Sequence, residues 1–293
     1  MATPIQSGTL ASAASTTSKT GTLFSANTGV GNLVVVSIAM SGSTNNPSPT
    51  VSHVNEASST GGAFTKAGAV SNGSGSSGIR CEVWYYITTL AQATFSVTVS
   101  TTCAFVVSGA EYDGTLYTNT VDGTVQTKTG SGTAETTTSI TTTNAQDLLV
   151  AGFAMLANGT FSAATNSYVI ETQAGQGSFG ANKNATGTQS STITDRTVTA
   201  TGAYSTGVTG SNSVVWASVS VAFQDAVPPV TTGAEPNTFV GVISDNYNSK
   251  RILGNWFMNM KTDGFLSLPP PVVPAANGDI IYVVDRDAWG YGY

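Results

Sequence analysis

The sequence predicts an all-β protein: a two-sheet sandwich, jelly-roll-like or Ig-like, with pseudo-repeated halves and an extended C-terminal arm. Three observations carry this. Runs of β-branched and aromatic residues recur between breaks rich in Gly, Ser and Asn. No stretch of the chain has helical periodicity. The first ~225 residues pass through one order of features twice.

The clearest strands are Leu33–Met40, Ile79–Ile87, Thr94–Val99, Ala104–Tyr112, Leu148–Leu156, Tyr168–Thr172, Arg196–Thr201 and Ser213–Phe223. Weaker ones lie at Gly8–Ser15, Thr50–Val54, Phe64–Ala67, Thr120–Thr127 and Thr136–Thr142. Between them stand segments such as SGSTNNPSP, SNGSGSSG and TGVTGSN, whose Gly, Asn and Pro suit turns.

The repeat is a matter of order. GNLVVVSIAM, FTKAGAV, CEVWYYITTLAQATFSVTVS and CAFVVSGAEYDG make one half. QDLLVAGFAM, YVIETQAG, TDRTVTATGAYSTGVTG and SVVWASVSVAFQDA make the other. Each begins with an apolar strand ending in Ala-Met and ends with an apolar strand followed by an acid. Two such halves face to face form a sandwich.

Alternation assigns the faces. Ile79, Cys81, Val83, Tyr85 and Ile87 share one face and read as core; Arg80, Glu82, Trp84 and Tyr86 share the other and read as outward. In the last strand Val215, Ala217, Val219, Val221 and Phe223 read as core, and Trp216, Ser218 and Ser220 as outward.

Composition narrows the function. Charged residues are 9% of the 293, against roughly 25% in an ordinary globular protein. Lys+Arg 10 against Asp+Glu 16 gives −6, a poor balance for a polyanion ligand, so nucleic acid is not an expected partner. No run of about 18 apolar residues is present, so no membrane span is expected. The opening MATPIQSGTLASAASTTSK lacks a basic segment and an apolar core, so a secretory leader is not expected.

Chemistry-bearing residues are few. The single histidine, His53, lies outside any Gly-x-Ser-x-Gly context and reads as a surface residue. Two cysteines, Cys81 and Cys103, lie in expected strands and could face each other; they read as buried free thiols, with a bridge between them as the alternative. One His and two Cys are too few for a zinc site, and no Asp-x-Asp-x-Asp-Gly loop stands out for calcium. Asp113, Asp122, Asp147, Asp195 and Asp225 are placed in loops or at strand ends. Glu82 and Glu111 are the one candidate pair for glycoside hydrolysis, though Glu82 beside Arg80 also reads as an ordinary ion pair. The expectation is therefore no catalytic residue, no metal and no cofactor. Trp84, Tyr86 and Trp216 are the candidate contacts to a partner protein or to sugar rings.

The segments FTKAG, CEVWYY, FVVSGAEYDG, DLLVAGFA and SVVWASVSVAF resemble a β-sandwich module of tailed-bacteriophage virion proteins and bacterial surface proteins. The resemblance covers about three quarters of the chain. It implies a capsid decoration, head-fibre or tail-associated protein, located in the virion and assembled in the host cytoplasm. The implied partners are capsid or tail proteins of the same particle and further copies of the chain. Adhesion to a host-surface glycan is the alternative.

The domain reading is a sandwich at 1–225, a Pro-rich linker at 226–237 and an arm or small β subdomain at 238–293. The linker carries three of the ten prolines, which a central strand does not tolerate. Beyond it, LPPPVVP predicts polyproline II and Asp279–Val284 a strand. Trp256, Ile281, Tyr282, Trp289 and Tyr291 are the candidate anchoring residues, since arms grip a partner with aromatic and main-chain groups.

Overall fold

A computed structural model describes residues 4–12, 16–41, 49–56, 62–74, 77–175, 189–225, 237–244 and 251–258. These residues form seventeen strands: β1 (Gln6–Ala11), β2 (Thr16–Thr22), β3 (Leu33–Ser41), β4 (Val51–Glu56), β5 (Thr65–Asn72), β6 (Ile79–Ile87), β7 (Thr94–Tyr112), β8 (Tyr117–Thr136), β9 (Ile140–Thr141), β10 (Asp147–Met155), β11 (Phe161–Ser162), β12 (Val169–Gly175), β13 (Ser190–Val198), β14 (Ala203–Tyr204), β15 (Gly207–Asp225), β16 (Asn237–Ser244) and β17 (Arg251–Met258). No α-helix occurs among the described residues, and no helix there is long and apolar enough to cross a membrane.

The predicted all-β sandwich is what the chain forms. One antiparallel sheet runs β1-β7-β3-β6-β5, and β2 and β4 also pair with β7. The second runs β11-β15-β10-β13-β12, with β8 also on β15. The two orders match strand for strand, with β8, β15, β10, β13 and β12 standing for β1, β7, β3, β6 and β5. The register matches too. Leu33 pairs with Ile87 and Tyr112, and Leu148 pairs with Thr197 and Phe223. Each repeat thus folds into one complete sheet, and the two sheets face each other.

Every second residue of the central strands points between the sheets. Leu33, Val35 and Ala39 of β3 meet Leu148, Val150 and Ala154 of β10, with Cys81, Val83, Ile193, Val219 and Phe223 beside them. Burying such side chains contributes about 1.5–3 kcal/mol each, and this is the main force holding the halves together.

The outer faces are covered as well. Val34, Val36, Ile38 and Met40 of β3 pack under Phe95, Val97 and Val99 of β7 and Val51 and Val54 of β4. The first half of β7 forms this cover with β2 and β4, while its second half runs between β1 and β3 in the sheet. On the second sheet Phe161 and Val208 cover Phe153, Met155 and Trp216, and Ile140 and Tyr168 cover Leu149 and Ala222. All nine residues of β3 and all nine of β10 are consequently buried.

The chain divides into two compact units after Pro228. In the C-terminal unit β16 and β17 form an antiparallel hairpin pairing Asn237 with Met258 and Ser244 with Arg251. The sequence pattern predicts no strand at these positions. The Asp279–Val284 strand, the polyproline segment and most of the linker lie outside the described residues.

Candidate functional site

The aromatic platform does not form. Trp84 is 6% exposed and Trp216 4%, so neither is available to stack on a sugar ring. Alternation places them on the correct face, but the cover layer buries that face. Trp84 joins the cluster beneath β4 and β7, and Trp216 the one beneath Phe161 and Val208. Ser218 and Ser220, also read as outward, are buried too. Tyr86 is half-buried, its ring 5.4 Å from Phe64. Trp256 falls in β17, while Ile281, Tyr282, Trp289 and Tyr291 lie outside the described residues.

The candidate hydrolase pair is not brought together either. Glu82 pairs with Ile38 on one side of β3, and Glu111 pairs with Val34 on the other. Four residues along a strand and two strand spacings put their Cα atoms roughly 16 Å apart, and each carboxyl is taken up by donors of its own surroundings. Glycosidase carboxyls stand about 5–9.5 Å apart.

Each of these acids is instead bound within the fold. Glu82, fully buried, accepts from Arg80 Nε at 2.6 Å, Trp84 Nε1 at 3.0 Å and the Val51 N–H at 3.2 Å, with Lys66 Nζ 3.1 Å away. Lys66 also lies over the Trp84 ring, 4.8 Å from its centre. Such a buried charge persists because donors surround both of its oxygens. Glu111 accepts from Gly29 N–H and Asn32 Nδ2, both at 2.7 Å, and from Gln6 Nε2 at 2.5 Å. Glu56 takes the N–H groups of Gly62 and Thr89 and the Thr89 hydroxyl.

A second class of carboxyl lacks such partners. Glu135, on β8, is fully buried, and neither oxygen meets a donor among the described residues. Burial pushes its carboxyl up to about 8, so it holds a proton at neutral pH. Asp195 and Glu171 face each other on neighbouring strands, with the Tyr112 hydroxyl of the opposite sheet beside Asp195. Burial raises both; the Glu171 charge lifts Asp195 further. Asp195 lies inside β13 and Asp122 inside β8, and both are buried, which corrects the placement of these two residues in loops or at strand ends. Glu135 and Glu171 escape a reading of the sequence, because no motif or spacing marks an acid whose only distinction is its surroundings.

The remaining reactive groups are dispersed. His53 is exposed on β4. Cys81 faces the space between the sheets and Cys103 the cover layer, so they lie on opposite sides of one sheet; both are free. Among the described residues no group of three or more His, Cys, Asp or Glu side chains is arranged to hold a metal ion. No protein-family model, curated protein or solved structure matches this chain.

Proposed function

We propose that the chain is a non-enzymatic structural protein of a virion, a capsid decoration or fibre subunit whose C-terminal segment attaches it to the particle. The observation that carries this is where the chemically able side chains go. The buried tryptophans serve the covers, and Glu56, Glu82 and Glu111 bind the chain's own donors. What faces outward is dominated by Thr, Ser, Gly and Asn, as in the exposed positions of β2 and β8. A sandwich closed in this way suits display and bracing. The C-terminal residues, a separate unit with two of the four tryptophans, suit anchoring. The glycan-binding reading has lost its platform at Trp84 and Trp216.

The test is the location of the natural protein. It should sediment with purified particles at a fixed copy number, and a chain ending at Asp225 should fold yet stay behind. Full-length protein found only free, or a truncated chain that still attaches, overturns the proposal.

A further inference from the structure

The two halves bind the same turn with different chemistry. In the first half the turn before β3 is held by Glu111, which takes the Gly29 N–H and the side-chain amides of Asn32 and Gln6. Register carries these positions across. Asn32 precedes Leu33 as Asp147 precedes Leu148, and Gly29 lies as far before Asn32 as Asn144 before Asp147. Glu111 pairs with Val34, and its counterpart Ala222 pairs with Leu149. Gln6 pairs with Glu111 as Asp122 pairs with Ala222.

The acid has therefore moved one strand over, from the Glu111 position to the Gln6 position, and it holds the equivalent amide. Asp122 accepts from the N–H groups of Thr143 at 2.5 Å and Asn144 at 2.9 Å, and from the Thr143 hydroxyl. Where the first half offers the Asn32 amide, the second presents another carboxyl. Asp147 is fully buried; its Oδ1 takes Asn144 Nδ2 at 3.3 Å, and its Oδ2 meets no donor among the described residues. The charged groups facing it are Asp122 of β8 and Asp225 of β15.

We propose that Asp147 is a pH-operated latch: protonated, it donates to Asp122 as Asn32 donates to Glu111; ionised, it repels Asp122 and Asp225 and loosens the 143–147 turn. Burial, then the neighbouring Asp122, push Asp147 up to about 7. For Asp122 burial works the other way from its partners, but the Asn144 and Thr143 donors and Asp147 outweigh it and hold the carboxyl below its ordinary value. The proton therefore resides on Asp147. The same turn holds the end of β15, because the Asp225 N–H donates to the Gln146 carbonyl. Opening the latch frees the last residue of the sandwich strand.

The experiment follows backbone amide shifts of the full chain from pH 5 to 9, with Gly29 as internal reference. Thr143 and Asn144 should show one inflection near pH 7 that Gly29 lacks, and Asp147→Asn, which installs the first half's chemistry, should abolish it. No inflection in the wild-type chain, or an inflection that survives in Asp147→Asn, overturns the proposal. The side-chain carboxyl carbon of Asp147 in the wild-type chain decides the matter without a variant: titration near 7 supports the latch, and titration at the ordinary value near 3.8 overturns it.

Discussion

Ser37 and Gly152 hold the same place in the two repeats, and they touch each other across the sandwich: a Cβ on Gly152 would lie 2.5 Å from the Ser37 hydroxyl oxygen. A residue that touches its own counterpart marks the pseudo-twofold axis relating the halves. Around it the sheets approach closely through small groups. Ser191 Oγ bonds to both the Ser37 carbonyl and hydroxyl at 3.1 Å, Ser108 Oγ donates to the Ser191 carbonyl at 3.0 Å, and Cys81 Sγ lies 3.8 Å from Ser37 Oγ.

Gly152→Ala should therefore destabilise the fold by about 1–3 kcal/mol, because the interior has no slack for an added methyl. The exchange Ser37→Gly with Gly152→Ser moves the hydroxyl across the axis without adding atoms overall. It should recover part of what Gly152→Ser alone loses. Urea midpoints of the four chains give the coupling; strictly additive losses would place the two residues out of contact.

Glu82 is the charge on which the first cover depends. Glu82→Gln leaves Lys66 and Arg80 without their carboxylate and should cost about 3 kcal/mol, the low end for a broken buried pair, since both cations keep some water. Trp84→Phe removes one donor from Glu82 and should cost about 1–3 kcal/mol. Equilibrium unfolding measures both, and a loss under about 0.5 kcal/mol, the scale of ordinary surface substitutions, contradicts the buried arrangement.

Stability should fall as pH rises through neutrality. A carboxyl raised in the fold keeps its proton while the unfolded chain loses it. Its contribution is complete below the unfolded value, declines as pH climbs, and is gone above the folded one. That window runs from 4.5 to about 8 for Glu135 and from 3.8 to about 7 for Asp147. Asp122 has the opposite sign, its contribution being lost in acid. The melting temperature should peak between about pH 4 and 6 and decline by pH 8.5, with Glu135→Gln flattening the decline. A curve that rises steadily to about pH 8.5 contradicts this assignment.

Both thiols should be inert in the folded chain. Burial pushes Cys81 and Cys103 each up to about 12, and nucleophilic attack needs the thiolate. Alkylation should proceed only at the rate of unfolding, and oxidised protein should carry no Cys81–Cys103 bridge. Fast labelling under native conditions would show that the cover over Cys103 opens.

Much of the sandwich is legible in the sequence. Ile79–Ile87 is a strand at its predicted limits, and the alternation in it and in Ser213–Phe223 assigns the inner faces correctly. The repeated order of features reappears as two sheets of equal strand order. Thr94–Val99 and Ala104–Tyr112 join into one strand, because Ser100, Thr101, Thr102 and Cys103 between them continue as β backbone. β2 is not legible because TTSKTGT has no apolar alternation; it is held by main-chain pairing to β7.

The burial of the outer face is not legible either. A strand such as Arg80–Glu82–Trp84–Tyr86 looks the same whether water or a second layer lies above it. Phe95, Val97 and Val99 advertise an apolar face but not what it packs on. The same limit hides Glu135 and the Glu171–Asp195 pair, whose character comes from neighbours distant in sequence.

The sandwich seals its own tryptophans and most of its strand-borne acids inside. A chain ending at Asp225 keeps just two tryptophans, Trp84 and Trp216, so its fluorescence reports on both sealed faces alone. The expected result is blue-shifted emission that acrylamide scarcely quenches in the folded chain and quenches fully after denaturation. Red-shifted, readily quenched emission from a chain that still shows a cooperative unfolding transition would contradict the burial of Trp84 and Trp216.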